Sequence, residues 1–323
     1  MTSPAPRVSI IIPVYNAERY IAASLASVLQ QTFHDYEILV VDDGSTDGTK
    51  AAISSVSGPI RYIHQPNQGP AAARNTGIEA SRGALVAFLD ADDSWSASKL
   101  ETQLAFIDAH PSTGLLFADE EEFDETGVVC PSLLSTSRFR EELSKGESVP
   151  DAFSKLLVEN FIPTSTVLAR RTCFDACGLF DVTLKGPEDR DMWSRIAALF
   201  PLACLPLVLG RKRVVASSVS RNVEATMRSR IRMWTKARQL FPQLAPARTI
   251  NALLAPTYVQ LGFILMEKGH VREARGLAIR GLATSRTPQG WLPAAALLAS
   301  SLAGKTATDL AFAAKRRLFG VRS

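Results

Sequence analysis

The stretch Ala84-Leu85-Val86-Ala87-Phe88-Leu89-Asp90-Ala91-Asp92-Asp93 decides the fold. A short apolar run after Gly83 ends in three carboxylates within four residues. An apolar run of this length predicts a buried strand, and ligands bind at the carboxyl ends of strands in open α/β sheets. Carboxylates this close repel one another unless a cation or hydrogen-bond donors offset them, and hard oxygen ligands suit Mg²⁺ or Mn²⁺. The alternative is an acidic turn that caps a helix starting near Ser96.

Working outward, three more predicted strands precede this one, and a helical pattern follows each of the four. The predicted strands are 8–14, 37–41, 60–64 and 84–89, and the predicted helices are 20–31, 46–56, 71–80 and 97–109. Such alternation predicts parallel βαβ units in a doubly wound, mostly parallel α/β sheet. Right-handed crossovers then bring Tyr15, Asp43 and the Asp90 cluster to one edge of the sheet.

The next hundred residues are less regular. Residues 115–118 predict a fifth strand, and the polar, acidic segment 119–148 is interpreted as an irregular loop that covers the site. The other predicted elements are a strand at 162–169, a short helix at 170–177, a helix through about Leu199, and strand segments at 202–209 and 212–215.

From about Ala225 the chain is rich in Ala, Leu and Arg at helical spacing, so we predict two domains, 1–222 and 223–323. Residues 258–274 resemble a single tetratricopeptide-like helical hairpin, a weak signal because such repeats need neighbours to bury a core. Residues 291–302 and the basic segment 315–319 form an amphipathic pattern. Such a segment can lie on a membrane surface or pack against the main domain.

Composition is that of a globular protein, with 46% hydrophobic and 21% charged residues among 323. The net charge of +4 conceals an asymmetry, because acidic residues predominate in 1–210 and basic residues in 211–323. The basic part predicts contact with an anionic membrane or a phosphorylated acceptor, or else solvated helix faces. No nucleic-acid-binding motif accompanies the charge, so no nucleic-acid partner is expected.

Location is inferred from what the sequence does not contain. There is no signal-peptide pattern, no apolar run reaching the roughly 18 residues of a membrane span, and no CxxC pair among the four cysteines. We therefore expect a cytoplasmic protein, either free or attached peripherally to the inner face of the cytoplasmic membrane.

The phosphate-binding loops of nucleotide enzymes, GxxxxGK[ST] and strand–GxGxxG–helix, do not occur here, so a phosphate would be held by a metal and side chains. Five other motifs do occur, in order. They are VSIIIPVYN (8–16), VVDDGSTD (40–47), NQGPAAARN (67–75), DADD (90–93) and EDRDMW (188–193). Together they resemble the inverting family-2 glycosyltransferases of the GT-A fold, over residues 7–222.

The resemblance assigns the nucleoside to the first two motifs. It implies that Pro13 and Tyr15 line the base, that Glu18 lies near the nucleoside, and that Asp43 accepts the N–H of the base. A tyrosine ring can stack on the π-face of a base. Ordinary turn residues before Gly44 are the alternative for Asp42 and Asp43.

The other three motifs imply the diphosphate and acceptor sites. Arg74 would face the diphosphate, Asp90 the ribose and Asp92 a Mg²⁺ or Mn²⁺ ion, with Asp93 sharing either role. Asp189 would be the general base, with Glu188 as its neighbour. The alternatives are a surface position for Arg74 and a helix-capping role for Asp189.

Two departures from the family pattern stand out. Arg190 replaces an aromatic residue common after the Glu-Asp pair, which predicts a changed acceptor pocket, toward a negatively charged acceptor. Val215 occupies the position of a histidine near the diphosphate, with Arg213 or Lys212 as substitutes for its charge.

We therefore predict a metal-dependent inverting glycosyltransferase that moves a sugar from a nucleoside-diphosphate sugar, above all a UDP-sugar, to a hydroxyl acceptor. The implied role is synthesis of a cell-surface polysaccharide or glycolipid, with a lipid-linked saccharide as acceptor. The alternative is a degenerate GT-A domain that binds nucleotide sugars or acts as a scaffold. A sugar-1-phosphate nucleotidyltransferase is disfavoured, because the Gly-rich, Arg-containing N-terminal loop of such enzymes is missing.

Overall fold

The computed structural model describes residues 4–214, 223–285 and 288–303. The chain divides into two compact units, Met1–Thr183 with Glu188–Ser218, and Leu184–Pro187 with Val219–Ser323. The predicted domain boundary at residues 222 and 223 stays a prediction, since residues 215–222 lie outside the described part.

The strands of the first unit are β1 (Val8–Val14), β2 (Tyr36–Asp42), β3 (Ile60–His64), β4 (Leu85–Phe88), β5 (Ser94–Trp95), β6 (Leu115–Asp124), β7 (Gly127–Cys130), β8 (Leu168–Arg170) and β9 (Leu202–Arg213). Its helices are α1 (Ile21–Leu29), α2 (Thr49–Ser54), α3 (Pro70–Ala80), α4 (Lys99–Ala109), α5 (Arg140–Leu143), α6 (Ala152–Val158), α7 (Arg171–Cys177) and α8 (Glu188–Leu199).

The strands form one sheet in the order β3-β2-β1-β4-β8-β6-β9-β5, with β7 paired to β6. The first four strands are parallel, as the sequence predicts. Alternate residues of β4 enter different core clusters, Val86 and Phe88 on one face and Leu85 and Ala87 on the other. Both faces of β4 are therefore buried, which explains why this strand is a continuous apolar run.

The other half of the sheet is mixed, and it corrects one expectation. Residues 119–130 are not part of an irregular loop, because β6 runs on to Asp124, pairs in parallel with β9 and forms a hairpin with β7. The elements of residues 131–148 are a 3-10 turn and the short helix α5. The two predicted segments 202–209 and 212–215 belong to the single strand β9 as far as Arg213. The predicted strand 162–169 is shorter, since residues Thr164–Thr166 form a 3-10 turn before β8.

The carboxyl ends of β1, β2 and β4 lie together. β1 stays paired with β2 through Pro13 to Val14, whereas its pairing with β4 ends at Ile11. The amide of Asp43 then donates to the carbonyl of Val14 at 2.8 Å. Each strand thus delivers its following polar residues to one edge.

The second unit consists of α9 (Val223–Leu240), α10 (Ala247–Glu267), α11 (Val271–Thr284) and α12 (Pro288–Ala303). Gly269, with φ of +80°, turns the chain between α10 and α11. Residues 291–302 lie in α12, and 315–319 lie outside the described residues.

Among the described helices, α10 alone is long and apolar enough to cross a membrane, with a mean hydropathy of 1.4 in its best window. The core helix of a bundle passes the same test, and 61% of that window is buried inside the protein.

Candidate active site

Asp43 is buried and organises the segment that leads into α3. Its carboxylate accepts hydrogen bonds from the Gln65 side chain at 2.7 Å and from the amides of Gln68 at 3.0 Å and Gly69 at 2.7 Å. Two of these bonds use Oδ1 and one uses Oδ2. Since a carboxylate oxygen has two lone pairs, Oδ2 keeps one for a further donor. Asp43 is therefore more than a turn residue, and it can still accept one N–H.

Tyr15 follows β1 at the same edge and is 51% exposed, so one face of its ring is available to a planar ligand. Pro13 lies buried within β1. The Glu18 carboxylate accepts the amide of Gly48 at 2.7 Å, and the Glu18 amide donates to Asp47 at 3.2 Å. Glu18 therefore ties the segment after β1 to the loop after β2.

Arg74 on α3 is buried, which excludes the surface position considered for it. Its guanidinium contacts Asp90 Oδ1 at 2.8 Å and Glu188 Oε1 at 3.3 Å. Burial opposes the charge of Arg74, but the carboxylates of Asp90 and Glu188 raise its pKa. Arg74 thus joins the acidic turn after β4 to the start of α8.

The three carboxylates after β4 have different surroundings. Asp93 is buried and accepts the Ser165 hydroxyl at 2.6 Å and the Arg213 amide at 3.0 Å. Burial and the charges of Asp90 and Asp92 raise its pKa well above the ordinary value. Ser165 is itself held by the Trp95 indole N–H, which donates to its carbonyl at 2.6 Å.

Asp92 is half-buried and fits a metal ligand. Burial, and then the charge of Asp90, raise the pKa of Asp92. Its carboxylate interacts with the backbone of its own residue, whereas Asp90 pairs with Arg74 and Asp93 with Ser165. A divalent cation would relieve the repulsion and would use oxygen ligands, as Mg²⁺ and Mn²⁺ prefer. Within the described ranges no group of three or more acidic, His or Cys side chains could hold a metal, so phosphate oxygens would have to complete the shell.

Asp189 lies in the first turn of α8, beside Glu188. Its Oδ2 accepts the Asn160 amide at 2.9 Å and the Thr164 hydroxyl at 3.3 Å. Burial and the charge of Glu188 raise the pKa of Asp189 to about 6, although Arg74 and Asn160 act in the opposite direction. A carboxylate with a pKa close to neutral is suited to general base catalysis.

These groups meet in a cleft of about 200 Å³. The charged and amide side chains that line it are Asp90, Asp93, Glu120, Asn160, Asp189 and Lys212. The structure thus brings Asp90, Asp93 and Asp189 together. The other predicted site residues lie outside the lining of this cleft, namely Pro13, Tyr15, Glu18, Asp43, Arg74, Asp92 and Glu188.

Sequence reasoning missed Glu120, Asn160 and Ser165. None of them belongs to a motif quoted above, and Glu120 was placed in a loop. Its position in an acidic run conceals its burial, since the pattern of that run is neither that of a helix nor of a strand.

The two departures have different outcomes. Arg190 is buried, and its guanidinium donates to the carbonyl of Leu156 instead of lining the cleft. Arg190 is therefore not a lining residue of the cleft, contrary to the expectation. Lys212 lines the cleft, while the Arg213 guanidinium lies over the Tyr20 ring at 5.0 Å and the Phe123 ring at 4.5 Å. Val215 lies outside the described residues.

The parallel sheet with this acidic edge defines the class of protein as a GT-A fold. A mannosyltransferase from Pyrobaculum calidifontis, solved with GDP-Man and Mn²⁺, superposes with a TM-score of 0.59 at 20% identity, over 99% of this chain and 89% of that one. At this identity the likeness establishes the fold alone.

Residues 9–163 match the model of glycosyl transferase family 2, the family that the five sequence motifs resemble. It is 32% identical over 210 residues to an uncharacterized glycosyltransferase of Rickettsia felis, over 64% of this chain and 33% of the relative. It is 45% identical over 102 residues to the Escherichia coli UDP-Glc:alpha-D-GlcNAc-diphosphoundecaprenol beta-1,3-glucosyltransferase WfgD, over 31% of this chain and 40% of that one. The chain thus spans about a third of the length of the first of these relatives and two fifths of the second.

Proposed function

We propose that the protein is an inverting glycosyltransferase that moves a sugar from a nucleoside-diphosphate sugar to a hydroxyl acceptor. The observation that carries the proposal is the position of Asp189, a carboxylate with a pKa of about 6 that faces the same cleft as Asp90. A base and an acidic metal–diphosphate edge in one cleft are what single displacement at an anomeric carbon requires.

In this proposal Asp189 removes the proton from the acceptor hydroxyl as its oxygen attacks the anomeric carbon. The Asn160 amide, which donates to Asp189 Oδ2, orients the carboxylate. Attack on the face opposite the leaving nucleoside diphosphate inverts the anomeric configuration, and it needs only this one carboxylate.

The nucleoside diphosphate of the donor binds at the sheet edge formed by the carboxyl ends of β1, β2 and β4. Tyr15 stacks on the base and Asp43 accepts its N–H with the lone pair that remains on Oδ2. Pro13 and Glu18 support these two segments. A UDP-sugar is the preferred donor, in keeping with the donor in the name of the Escherichia coli relative.

The diphosphate lies near the acidic turn. Arg74 keeps Asp90 in place for the ribose, and Glu188 anchors Arg74 from the other side. Asp92 would hold Mg²⁺ or Mn²⁺, which when bound offsets the charge on the diphosphate. Manganese is present in the P. calidifontis structure.

The acceptor proposed is a lipid-linked saccharide, on a pathway to a cell-surface polysaccharide or glycolipid. The relative WfgD is named for a diphosphoundecaprenol-linked acceptor. The excess of basic residues after residue 210 supports a cytoplasmic protein that attaches peripherally to an anionic membrane through residues 223–323. Deletion of residues 291–323 then releases the protein from membrane fractions, and unchanged fractionation would refute the attachment.

The test of function is a screen of UDP-, GDP- and dTDP-sugars with Mn²⁺ and a lipid-linked or simple saccharide acceptor, read as release of nucleoside diphosphate. The anomeric configuration of the product, read by NMR from the coupling constant, tests inversion. Retention of configuration, or transfer unaffected by Asp189→Asn, would refute the mechanism.

The second candidate is a nucleotide-sugar-binding or scaffold protein with a degenerate GT-A domain. Val215, at the position where the family pattern has a histidine, favours it. Calorimetric binding of UDP and Mn²⁺ without turnover of any donor in the screen would support this candidate over the enzyme.

A further inference from the structure

Glu120 lies in β6 and is buried, with 2% of its surface exposed, yet it lines the cleft. Its Oε1 is hydrogen-bonded to no atom in the described ranges. The other carboxylates of the cleft are engaged, Asp90 by Arg74, Asp93 by Ser165 and Asp189 by Asn160. Glu120 is therefore a lining residue of the cleft whose Oε1, buried beside Gly210, has no hydrogen-bond donor in the described ranges.

A buried carboxylate oxygen without a donor destabilises the folded protein. Burial and the charge of Asp93 raise the pKa of Glu120 well above its ordinary value. The nearest cation of the cleft is Lys212, but its ammonium is shared with Glu122, whose Oε1 lies at 3.2 Å. A hydrogen-bond donor on a bound ligand would remove this destabilisation.

We propose that Glu120 binds a hydroxyl group of the sugar that occupies the cleft, an inference that rests on the proposed function. A sugar hydroxyl is a neutral donor, and the acidic residues Asp90, Asp93 and Asp189 in the lining disfavour an anionic group there. The cleft of about 200 Å³ is smaller than the roughly 300–1,000 Å³ of pockets for drug-sized ligands, which suits one sugar ring.

The sugar belongs either to the donor substrate or to the acceptor substrate. In both cases a sugar hydroxyl donates a hydrogen bond to Glu120. A pocket group that pairs with a substrate hydroxyl discriminates strongly against the analogue that lacks it, because the buried group is then left unpaired. Glu120 would thus select a sugar with a hydroxyl at one defined ring position.

The test uses the full chain with Glu120→Gln, and Glu121→Gln as the matched control. Glu121 is the next residue of β6, and its carboxylate pairs with Arg211 instead of lining the cleft. Dissociation constants are measured for Mn²⁺, for UDP with Mn²⁺, and for UDP-glucose, UDP-N-acetylglucosamine and GDP-mannose. Melting temperatures are recorded for all three proteins.

If the donor supplies the hydroxyl, Glu120→Gln lowers the affinity for the sugar nucleotide by about 10- to 100-fold and leaves the affinity for UDP unchanged. In the parent protein, a donor whose sugar lacks the hydroxyl at one ring position binds more weakly by the same factor. In Glu120→Gln, removal of that hydroxyl causes no further loss of affinity. If the acceptor supplies it, donor binding and donor hydrolysis are unchanged while the KM of the saccharide acceptor rises by the same factor.

Because Oε1 of Glu120 has no hydrogen bond to lose and Gln keeps the shape of the side chain, the melting temperature of Glu120→Gln stays equal or rises. A fall in melting temperature that accompanies the loss of affinity would show a structural role and overturn the proposal. So would weaker binding of Mn²⁺ alone, equal effects of Glu121→Gln, or unchanged constants for every sugar ligand. Absence of turnover in the parent protein with sugar binding intact would refute only the proposed function.

Discussion

The guanidinium of Arg74 lies 2.8 Å from the carboxylate of Asp90, and the arginine side chain is almost fully buried. The two residues come from α3 and from the turn after β4, so neither local pattern contains the contact. A buried arginine is retained only where carboxylates and hydrogen bonds compensate its desolvation. The pair therefore fixes the position of the acidic turn relative to α3.

Replacement of Arg74 by Gln leaves Asp90 and Glu188 without their shared cation. We expect a loss of about 2 kcal/mol in the free energy of unfolding, less than for a fully enclosed pair because Asp90 is partly exposed. Urea denaturation measures it. Arg138→Gln is the control, since its pair with Glu159 is exposed on the arginine side, and an equal loss there would contradict the prediction.

Replacement of Asp189 by Asn removes the base but keeps a side chain of the same shape. Transfer falls by about 10³-fold, a typical contribution of general base catalysis, while the affinity for UDP and Mn²⁺ is retained. Steady-state kinetics and calorimetry measure the two quantities. A variant that still transfers at the parent rate would remove Asp189 from its role.

The pH dependence of kcat/KM follows from the pKa of about 6 for Asp189. The base must be ionised, so the rate falls as the pH drops through about 6 instead of near 4. Asn160 donates to the ionised carboxylate, so Asn160→Ala raises this pKa and moves the acid limb to higher pH. An acid limb that stays in place in the variant, or one near pH 4 in the parent, would contradict the assignment.

Asp43 supports three hydrogen bonds at the entry to α3. Asp43→Ala leaves the buried Gln65 amide and the amide of Gly69 without their acceptor, and we expect a loss of about 2 kcal/mol in the free energy of unfolding. Asp124→Ala is the control, at the end of β6, where the carboxylate accepts local bonds from Thr126. Affinity for UDP should fall in the first variant alone, as calorimetry would detect.

Metal removal tests the role of Asp92. EDTA is expected to abolish transfer, and Mn²⁺ or Mg²⁺ to restore it. Since Asp92 has a raised pKa, the metal displaces protons and its affinity increases with pH. In Asp92→Asn the increase in melting temperature caused by Mn²⁺ with UDP becomes smaller, and an unchanged increase would exclude Asp92 as a ligand.

Local patterns were sufficient for the elements of the parallel half of the sheet. The predicted strand at 60–64 is confirmed at both ends, and the helix predicted at 71–80 begins one residue earlier, at Pro70. Pro70 marks the first turn of this helix. The five motifs also identified the family, which the match over residues 9–163 confirms.

The mixed half of the sheet could not be read in the same way. β6 extends through the acidic run because β9 pairs with it from about ninety residues further along the chain, and no local pattern records such a partner. For the same reason Lys99, a charged residue at a helix start, is fully buried with its ammonium over the Trp95 ring at 4.0 Å.

The sequence by itself determined the order of the strands and helices in the parallel half of the sheet, the residue types at the strand ends and the resemblance to family 2. Only the tertiary structure decided which of these groups share a cleft, that Arg190 is withdrawn from it and that Glu120 enters it. The physical reason is that burial and pKa depend on neighbours in space, and the residues around Asp189 and Glu120 are supplied by elements far apart in the chain.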